Sequence, residues 1–316
     1  MYHGFTDEEE NNSIENYQGK SINIELFRSQ IKYLKNHYNV ISLSDYVDFC
    51  KKGKKLPDKS IIITIDDGYK SNYTLAFPIF KDFDVPATIF LTTDFINNKN
   101  FFWVDRLEYA INNTKAKKLE LTIGNEKLYF SLTSQQEKIS CDKILRNKFK
   151  SIENLNPEEL IQHVESLLNI KLSEASKPPP IYEPLGWNEI VEMIKSSKVD
   201  IGSHTHKHLL LAKYKKEIVL NELSLSKEII ESQTRIDTSL FCYPSGSFND
   251  ETKLFVKESG YSCALTTVKG MNNEISDLYE LKRFSVENTD LKSFVLTISR
   301  IRYFLSQMRN NFNVTS

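Results

Sequence analysis

Short runs of β-branched residues alternate with amphipathic stretches along most of this chain of 316 residues. Such alternation is typical of βα units arranged around a mostly parallel sheet. With seven or eight units, an open sheet and an incomplete barrel both fit the pattern, and we predict a single α/β domain over residues 1–316. The predicted strands are 1–4, 39–43, 60–66, 87–92, 199–203, 239–243, 262–266 and 281–286, and the clearest predicted helices are 23–37, 72–83 and 215–233.

One segment departs from this alternation. Residues from about 105 to 184 are polar, rich in Lys and Glu, and patterned as helices, and they end in the rigid stretch "KPPPIYEP". We interpret the segment as a helical insertion between strands of the same domain.

The charge balance and the short apolar runs exclude two classes of partner. The chain has 41 basic and 42 acidic residues and a net charge of -1, which argues against nucleic-acid binding. Its apolar runs are far shorter than the roughly 20 residues of a membrane span, so we predict no transmembrane segment. The sequence gives no indication of the oligomeric state.

The cysteines and the first residues bear on the compartment. Cys50, Cys141, Cys242 and Cys263 form no CxxC pair, which is typical of reduced cysteines in a chain of this size. No secretory signal precedes the first predicted strand, so we expect a cytoplasmic protein, or an exported one if the true start lies upstream.

Two adjacent aspartates end a predicted buried strand. In "IIITIDDG", Asp66 and Asp67 stand at the carboxyl end of the strand, where parallel α/β sheets form their active sites, and Gly68 permits a sharp turn. Two neighbouring carboxylates are tolerable if a cation binds one and leaves the other free as a base. The alternative is structural, because Asp-Gly is a common turn and Asp also caps helices.

Three histidines follow another predicted strand, in "VDIGSHTHKHLLL". Imidazoles together with a carboxylate suit zinc or a neighbouring transition metal. The spacing alone leaves open which two of His204, His206 and His208 bind: in an extended strand all three face one side, whereas in a turn His204 and His208 can converge. A polar loop with incidental histidines is the alternative.

The stretch "LFCYPSGSFND" at 240–250 again reads as a strand followed by a turn. Pro244 and Gly246 can turn the backbone so that an N–H faces a substrate oxygen, as stabilisation of an oxyanion requires. Pro-Ser-Gly is also an ordinary loop sequence.

The motifs "TIDDG" (64–68), "SHTHKH" (203–208) and "FCYPSG" (241–246), in this order, resemble those of the polysaccharide deacetylases with a NodB homology domain, carbohydrate esterase family 4. The stretches "LGWNEIVEMI", "YELKRFSV" and "MYHGF" resemble the same group, so the likeness covers essentially the whole chain. The resemblance implies a distorted, incomplete (β/α)7-type barrel with the helical insertion added to it.

The resemblance also implies roles for individual residues. Asp66 corresponds to the general base, and Asp67, His204 and His208 to the ligands of a divalent metal, which leaves His206 as a bystander near the rim. Zinc is the favoured ion, with Co²⁺, Ni²⁺ and Mn²⁺ as alternatives. The backbone N–H of Ser245 corresponds to the group that helps to hold the oxyanion.

Two departures from the common family pattern stand out. Cys242 and Ser245 occupy the positions of an Arg that orients the base and of an aromatic residue that lines the groove, so another residue must orient Asp66, and Arg283 is a candidate. No histidine follows His208 to serve as the general acid. The chain resembles a circularly permuted subgroup, the poly-N-acetylglucosamine deacetylases, in which an N-terminal Tyr-His strand supplies this motif; His3 is therefore the candidate acid, and a terminal residue without a role is the alternative.

Together these residues predict an enzyme that removes N-acetyl groups from an amino sugar, a glycan or its precursor and releases acetate. Hydrolysis of another non-peptide C–N bond, such as a sugar formamide, and glycan binding without catalysis are the alternatives. We expect five residues to bind the substrate, although Trp103 and Trp187 could equally be core residues and the role of Tyr69 is similarly open. They are Tyr69, Trp103, Trp187, Tyr243 and Pro244.

Overall fold

The computed structural model describes residues 1–8, 13–99, 101–152, 157–170 and 179–299. The strands are β1 (Gly4–Thr6), β2 (Ser21–Asn23), β3 (Asn39–Val40), β4 (Ser60–Ile61), β5 (Thr64–Ile65), β6 (Ala87–Leu91), β7 (Lys118–Ile123), β8 (Glu126–Ser131), β9 (Val199–Ser203), β10 (Leu240–Cys242), β11 (Cys263–Lys269) and β12 (Leu281–Arg283). The α-helices are α1 (Ile24–His37), α2 (Leu43–Lys51), α3 (Phe77–Phe83), α4 (Thr93–Asn98), α5 (Trp103–Asn113), α6 (Gln135–Ser151), α7 (Pro157–Leu167), α8 (Trp187–Lys195), α9 (Lys216–Thr234), α10 (Asp250–Glu258) and α11 (Leu291–Ile298).

A curled parallel sheet of six strands forms the centre of the molecule, in the order β12-β11-β10-β9-β6-β5. All five residues of β6 are buried, as expected of a parallel strand covered on both faces by helices. Each strand of this sheet lies within or overlaps one of the strands predicted from the sequence. The predicted distorted, incomplete α/β barrel is therefore confirmed.

The first three residues lie between the two edge strands of this sheet. On one side the backbone nitrogen of Met1 donates to the carbonyl of Phe284, 2.9 Å away, and its carbonyl accepts from Val286. On the other side Tyr2 forms a parallel bridge with Ile65. The segment thus contacts the edge strand β5 on one side and the residues that follow β12 on the other.

The insertion differs from the all-helical segment that we predicted. It contains α5, α6 and α7, but also the antiparallel hairpin of β7 and β8, in which Leu119, Leu121 and Ile123 are buried and the residues between them are exposed. The strict alternation in "KLELTI" and the Gly124–Asn125 turn are the signals of this hairpin. The Lys and Glu on its exposed face made the stretch resemble a solvated helix.

The insertion has an apolar cluster of its own, which packs separately from the cluster beneath the sheet. Leu107, Ile111, Leu145 and Phe149 belong to it, and Ile14 joins it from the N-terminal region. Burial of these side chains fixes α5 and α6 beside the carboxyl ends of the sheet strands. Within the described residues, no helix combines the length and the apolar character that crossing a membrane requires.

Candidate active site

A cleft of about 330 Å³ opens at the carboxyl ends of the sheet strands. Loops after β5, β9 and β10 form its floor, and α5 and α6 of the insertion form one wall. Seven of the predicted site residues line it: His3, Asp66, Asp67, Trp103, His204, His208 and Ser245.

The two aspartates enter the cleft through a left-handed turn. Asp67 has φ 79° and Gly68 has φ 93°, and the Gly68 N–H donates to the carbonyl of Asp66 at 3.1 Å. A Cβ atom on Gly68 would lie 3.2 Å from the Leu91 side chain, so both the φ angle and the space favour glycine. Successive side chains of a regular strand point to opposite faces of the sheet. The left-handed turn interrupts this alternation, so both carboxylates face the same cavity.

Arg283 holds the Asp66 carboxylate with two hydrogen bonds. Nη1 donates to Oδ1 at 2.7 Å and Nη2 donates to Oδ2 at 2.8 Å, and both side chains are buried. Burial alone would raise the pKa of Asp66, but the charge and the hydrogen bonds of Arg283 hold it below its usual range. Asp66 is therefore ionised and fixed in orientation.

The Cys242 thiol lies against this pair, with Sγ 3.0 Å from Arg283 Nη2 and 3.6 Å from Asp66 Oδ2. The guanidinium that orients Asp66 thus comes from β12, whereas the small Cys242 side chain on β10 leaves the space for it. Arg283, the candidate named from the sequence, occupies the place of the orienting residue.

The histidine loop begins at β9 and bends sharply. The His204 N–H donates to the carbonyl of Leu91, and Thr205 and His208 have φ 67° and 57°. Non-glycine residues in this conformation carry a cost of about 1–3 kcal/mol each, and they cluster at functional sites. The bend brings the rings of His204 and His208 to 4.8 Å between centroids.

Asp67, His204 and His208 form a set of donor atoms suited to one metal ion. Asp67 Oδ1 lies 3.6 Å from His204 Nε2 and 3.5 Å from His208 Nε2. Ligands held at about 2.0–2.2 Å by one tetrahedral ion are about 3.3–3.6 Å apart, so these separations fit zinc and similar divalent ions. His204 Nδ1 lies 2.7 Å from the carbonyl of Cys242, which fixes Nδ1 as the protonated nitrogen and leaves Nε2 free to bind.

Burial also prepares His208 as a ligand. Burial and the nearby His204 together lower the pKa of His208 to about 3, although Asp67 acts in the opposite direction. The ring is therefore neutral at physiological pH, as metal binding requires.

A second cluster of Asp66, His204 and Cys242 has donor atoms equally close together. Its Asp66 member is already engaged, since Arg283 holds both oxygens of that carboxylate. The first cluster is therefore the better metal site.

His206 points away from both clusters. Its Nδ1 lies 2.9 Å from Thr93 Oγ1, and its carbonyl accepts from the Asp94 N–H at the start of α4. It anchors the bend of the loop and lies outside the metal set.

His3 lies beside the two aspartates. The carbonyl of His3 accepts from Asn72 Nδ2 at 2.7 Å, which anchors the backbone, and the side chain lines the cleft. Burial lowers the pKa of His3, and the charges of Asp67 and Asp66 act against this shift. The N-terminal segment thus brings an imidazole to the face of the cleft that holds both carboxylates.

Ser245 lies in the turn after β10 and lines the cleft. Its φ of 51° and the φ of 67° at Gly246 form a left-handed bend, and a Cβ on Gly246 would lie 2.9 Å from the Thr267 nitrogen.

Among the residues expected to bind substrate, Trp103 is the one that lines the cleft. It lies at the start of α5 and packs against Phe149, with 5.7 Å between ring centroids. An aromatic face in this position can stack on a sugar ring.

Tyr243 and Pro244 are buried instead of lining the cleft. Tyr243 stacks on Phe248 at 5.0 Å between centroids, and its hydroxyl donates to the carbonyl of Tyr279. Because side chains alternate along a strand, Tyr243 faces the outer helices while Cys242 faces the site.

Tyr69 and Trp187 also lie away from the cleft. Tyr69 is 2% exposed, and its hydroxyl donates to Asp105 Oδ2 at 2.5 Å. Trp187 donates from Nε1 to Asn97 Oδ1 and packs against the main core. Both aromatic residues support elements of the site without facing its opening.

The sequence interpretation missed Lys20. Its Nζ lies 3.0 Å from Asp67 Oδ2 and 3.6 Å from Asp105 Oδ1, and it also donates to the Tyr69 hydroxyl. No motif surrounds Lys20 in the sequence, and pairing of β1 with β2 brings it to the cleft. A lone lysine far from the other motifs carries no signal of this role.

The family model for polysaccharide deacetylases matches residues 53–264. Poly-beta-1,6-N-acetyl-D-glucosamine N-deacetylase of Escherichia coli (strain K12) is 24% identical over 288 residues, which are 89% of this chain and 36% of that protein. The protein of the same name from Staphylococcus aureus (strain N315) is 37% identical over 95 residues, 30% of this chain and 31% of that protein. The chain thus spans about a third of the length of these curated relatives.

Solved structures share the fold at low identity. The Streptococcus pyogenes deacetylase PplD in complex with acetate has a TM-score of 0.62 at 18% identity, covering 94% of this chain and 96% of the other. IcaB from Ammonifex degensii has a TM-score of 0.57 at 15% identity, covering 94% and 93%. The family model itself matches more than half of the chain, including the aspartate, histidine and proline motifs, and on this basis the chain belongs to the polysaccharide deacetylase family.

Proposed function

We propose that this protein is a metal-dependent hydrolase that removes N-acetyl groups from an amino sugar of a glycan or glycan precursor and releases acetate. The observation that carries the proposal is the convergence of Asp67, His204 and His208 on one point beside the ionised Asp66. Asp67 Oδ1 and the two Nε2 atoms would hold a divalent ion, with zinc favoured. Such an ion supplies Lewis acidity to a carbonyl oxygen and lowers the pKa of water.

The residues of the chain perform the proton transfers in this proposal. Asp66, held in place by Arg283, accepts a proton from the attacking water. The Ser245 N–H donates to the oxygen of the acetamide as negative charge develops on it. His3 donates a proton to the departing nitrogen, which leaves as the free amine of the sugar. Trp103 lies where it can stack on the sugar ring.

Two other functions compete with this one. A sugar formamide would use the same residues, and a glycan-binding relative without turnover would keep the cleft. Release of acetate or formate from N-acetyl- and N-formylglucosamine oligosaccharides distinguishes the three. We expect acetate release; formate alone would support the first alternative, and binding without either product the second.

His3→Ala is expected to lower kcat about 10²- to 10⁴-fold, the usual contribution of a general acid, because the leaving nitrogen then lacks a proton donor. Metal content should not change, since His3 is not part of the ligand set. The measurements are steady-state acetate release and metal analysis of the purified variant. Near-normal turnover of His3→Ala would remove His3 from the mechanism and leave the metal site untouched.

A further inference from the structure

We infer that Lys20 is a positioning residue that holds Asp67 to a metal through a single oxygen and so keeps a coordination position open for water and substrate. This inference rests on the proposed metal site and adds to it a residue outside the family motifs.

The two oxygens of Asp67 face different partners. Oδ1 lies 3.5–3.6 Å from the two histidine Nε2 atoms, whereas Oδ2 lies 3.0 Å from Lys20 Nζ. The Asp67 side chain is 5% exposed, so solvent competes little for either oxygen. Lys20 therefore pairs with Oδ2, the Asp67 oxygen that does not face the two histidines.

Lys20 is itself held from several sides. Its ammonium group has three N–H donors, and three oxygen atoms surround it: Asp67 Oδ2, Asp105 Oδ1 and the Tyr69 hydroxyl. It also lies 4.5 Å from the ring centroid of Tyr69 and 5.2 Å from that of Phe102. Lys20 Nζ is thus fixed beside Asp67 Oδ2 by contacts with several residues.

This arrangement has a consequence for coordination chemistry. Carboxylates bind cations through one or both oxygens. A catalytic zinc site needs three protein ligands and an open position. With Oδ2 hydrogen-bonded to Lys20, Asp67 contributes one ligand atom, and the total from the protein is three. Without Lys20, Oδ2 could turn to the ion and fill the position that the substrate requires.

Replacing Lys20 separates this role from simple structural support. Lys20→Met removes a positive charge near the ion and frees Oδ2, so we expect Zn²⁺ to bind at least about fivefold more tightly. We expect kcat to fall about 10- to 100-fold, as for other residues that orient a metal ligand. In the Co²⁺-loaded variant the visible spectrum should change, because a carboxylate oxygen would occupy the position that the wild-type protein leaves to water.

The experiment compares the purified wild-type protein with three Lys20 variants and one control variant. Zn²⁺ affinity is measured by competition with a chelating dye, coordination by the Co²⁺ spectrum, and turnover by acetate release. Lys20→Arg retains the charge and should restore values close to the wild type. Lys20→Gln is expected to change Zn²⁺ affinity, the Co²⁺ spectrum and turnover in the same direction as Lys20→Met, but by less. It takes the place of Lys20→Met in the comparison if Lys20→Met does not fold because Asp105 has lost its partner.

Lys70→Met is the matched control, because Lys70 pairs with Glu183 at 3.4 Å and with Glu189 at 3.9 Å, and not with Asp67, among the described residues. It should leave metal affinity, spectrum and turnover unchanged. Weaker or unchanged Zn²⁺ binding in Lys20→Met, with an unaltered Co²⁺ spectrum, would overturn the inference about Lys20 and leave the proposed function in place. A wild-type protein that binds no metal would overturn the proposed function together with it.

Discussion

Asp67→Ala is expected to abolish metal binding and acetate release together. Asp67 is the one anionic member of the ligand set, and its Oδ1 atom lies within 3.6 Å of both histidine nitrogens. Loss of one of the three ligands, and the one that carries negative charge, should lower metal affinity roughly 10³-fold or more. Metal analysis after gel filtration and acetate release from N-acetylglucosamine oligosaccharides measure the two effects.

His206→Ala provides the matched control for this substitution. His206 lies in the same loop as two of the ligands, but its ring bonds to Thr93 Oγ1 and is outside the metal set. We expect the variant to retain its metal and most of its turnover, with a loss of stability of about 1 kcal/mol from the missing hydrogen bond. If Asp67→Ala kept its metal, or if His206→Ala lost it, the assignment of the ligands would be wrong.

Asp66→Asn is expected to lower kcat about 10²- to 10⁴-fold with metal content unchanged. The amide cannot accept the proton, whereas the metal ligands remain in place. The change also leaves the buried guanidinium of Arg283 without its counter-charge. Removing one partner of a buried pair costs about 3–5 kcal/mol, so the free energy of unfolding should fall as well.

Denaturant unfolding and turnover below the unfolding transition separate these two effects. A folded, metal-loaded Asp66→Asn protein with turnover within tenfold of the wild type would show that Asp66 is not the base. Arg283→Lys tests the orientation of the Asp66 carboxylate. A single ammonium cannot reproduce the two parallel hydrogen bonds of the guanidinium, so we expect turnover to fall, but by less than in Asp66→Asn.

Much of the site was predictable because its motifs end predicted strands. Asp66 follows β5, His204 follows β9 and Pro244 follows β10, and the carboxyl ends of parallel strands meet at one edge of the sheet. Side chains alternate between the two faces of the sheet along β10 and into Tyr243, the residue after it. This alternation would also have excluded Tyr243 from the cleft, since Cys242 and Tyr243 face opposite sides. The sequence interpretation considered the aromatic character of Tyr243 and not its position in the strand.

Other parts of the site depend on contacts between distant segments. The choice of His204 and His208 over His206 requires the left-handed backbone at Thr205 and His208, which their residue types do not indicate. The pairing of Arg283 with Asp66 and of Lys20 with Asp67 depends on how the N-terminal segment, β2 and β12 surround β5. Arg283 was named as a candidate because Cys242 replaces the usual orienting Arg, but neither pairing leaves a local pattern in the sequence.

The most direct test of the central claim is a metal titration of the wild-type protein followed by acetate release. After chelation, the account predicts that acetate release from N-acetylglucosamine oligosaccharides falls to background. It should return in proportion to added Zn²⁺ and level off at one ion per chain, with one free amine formed per acetate. Full acetate release from the chelated protein, or one bound Zn²⁺ per chain without any acetate release, would contradict the account.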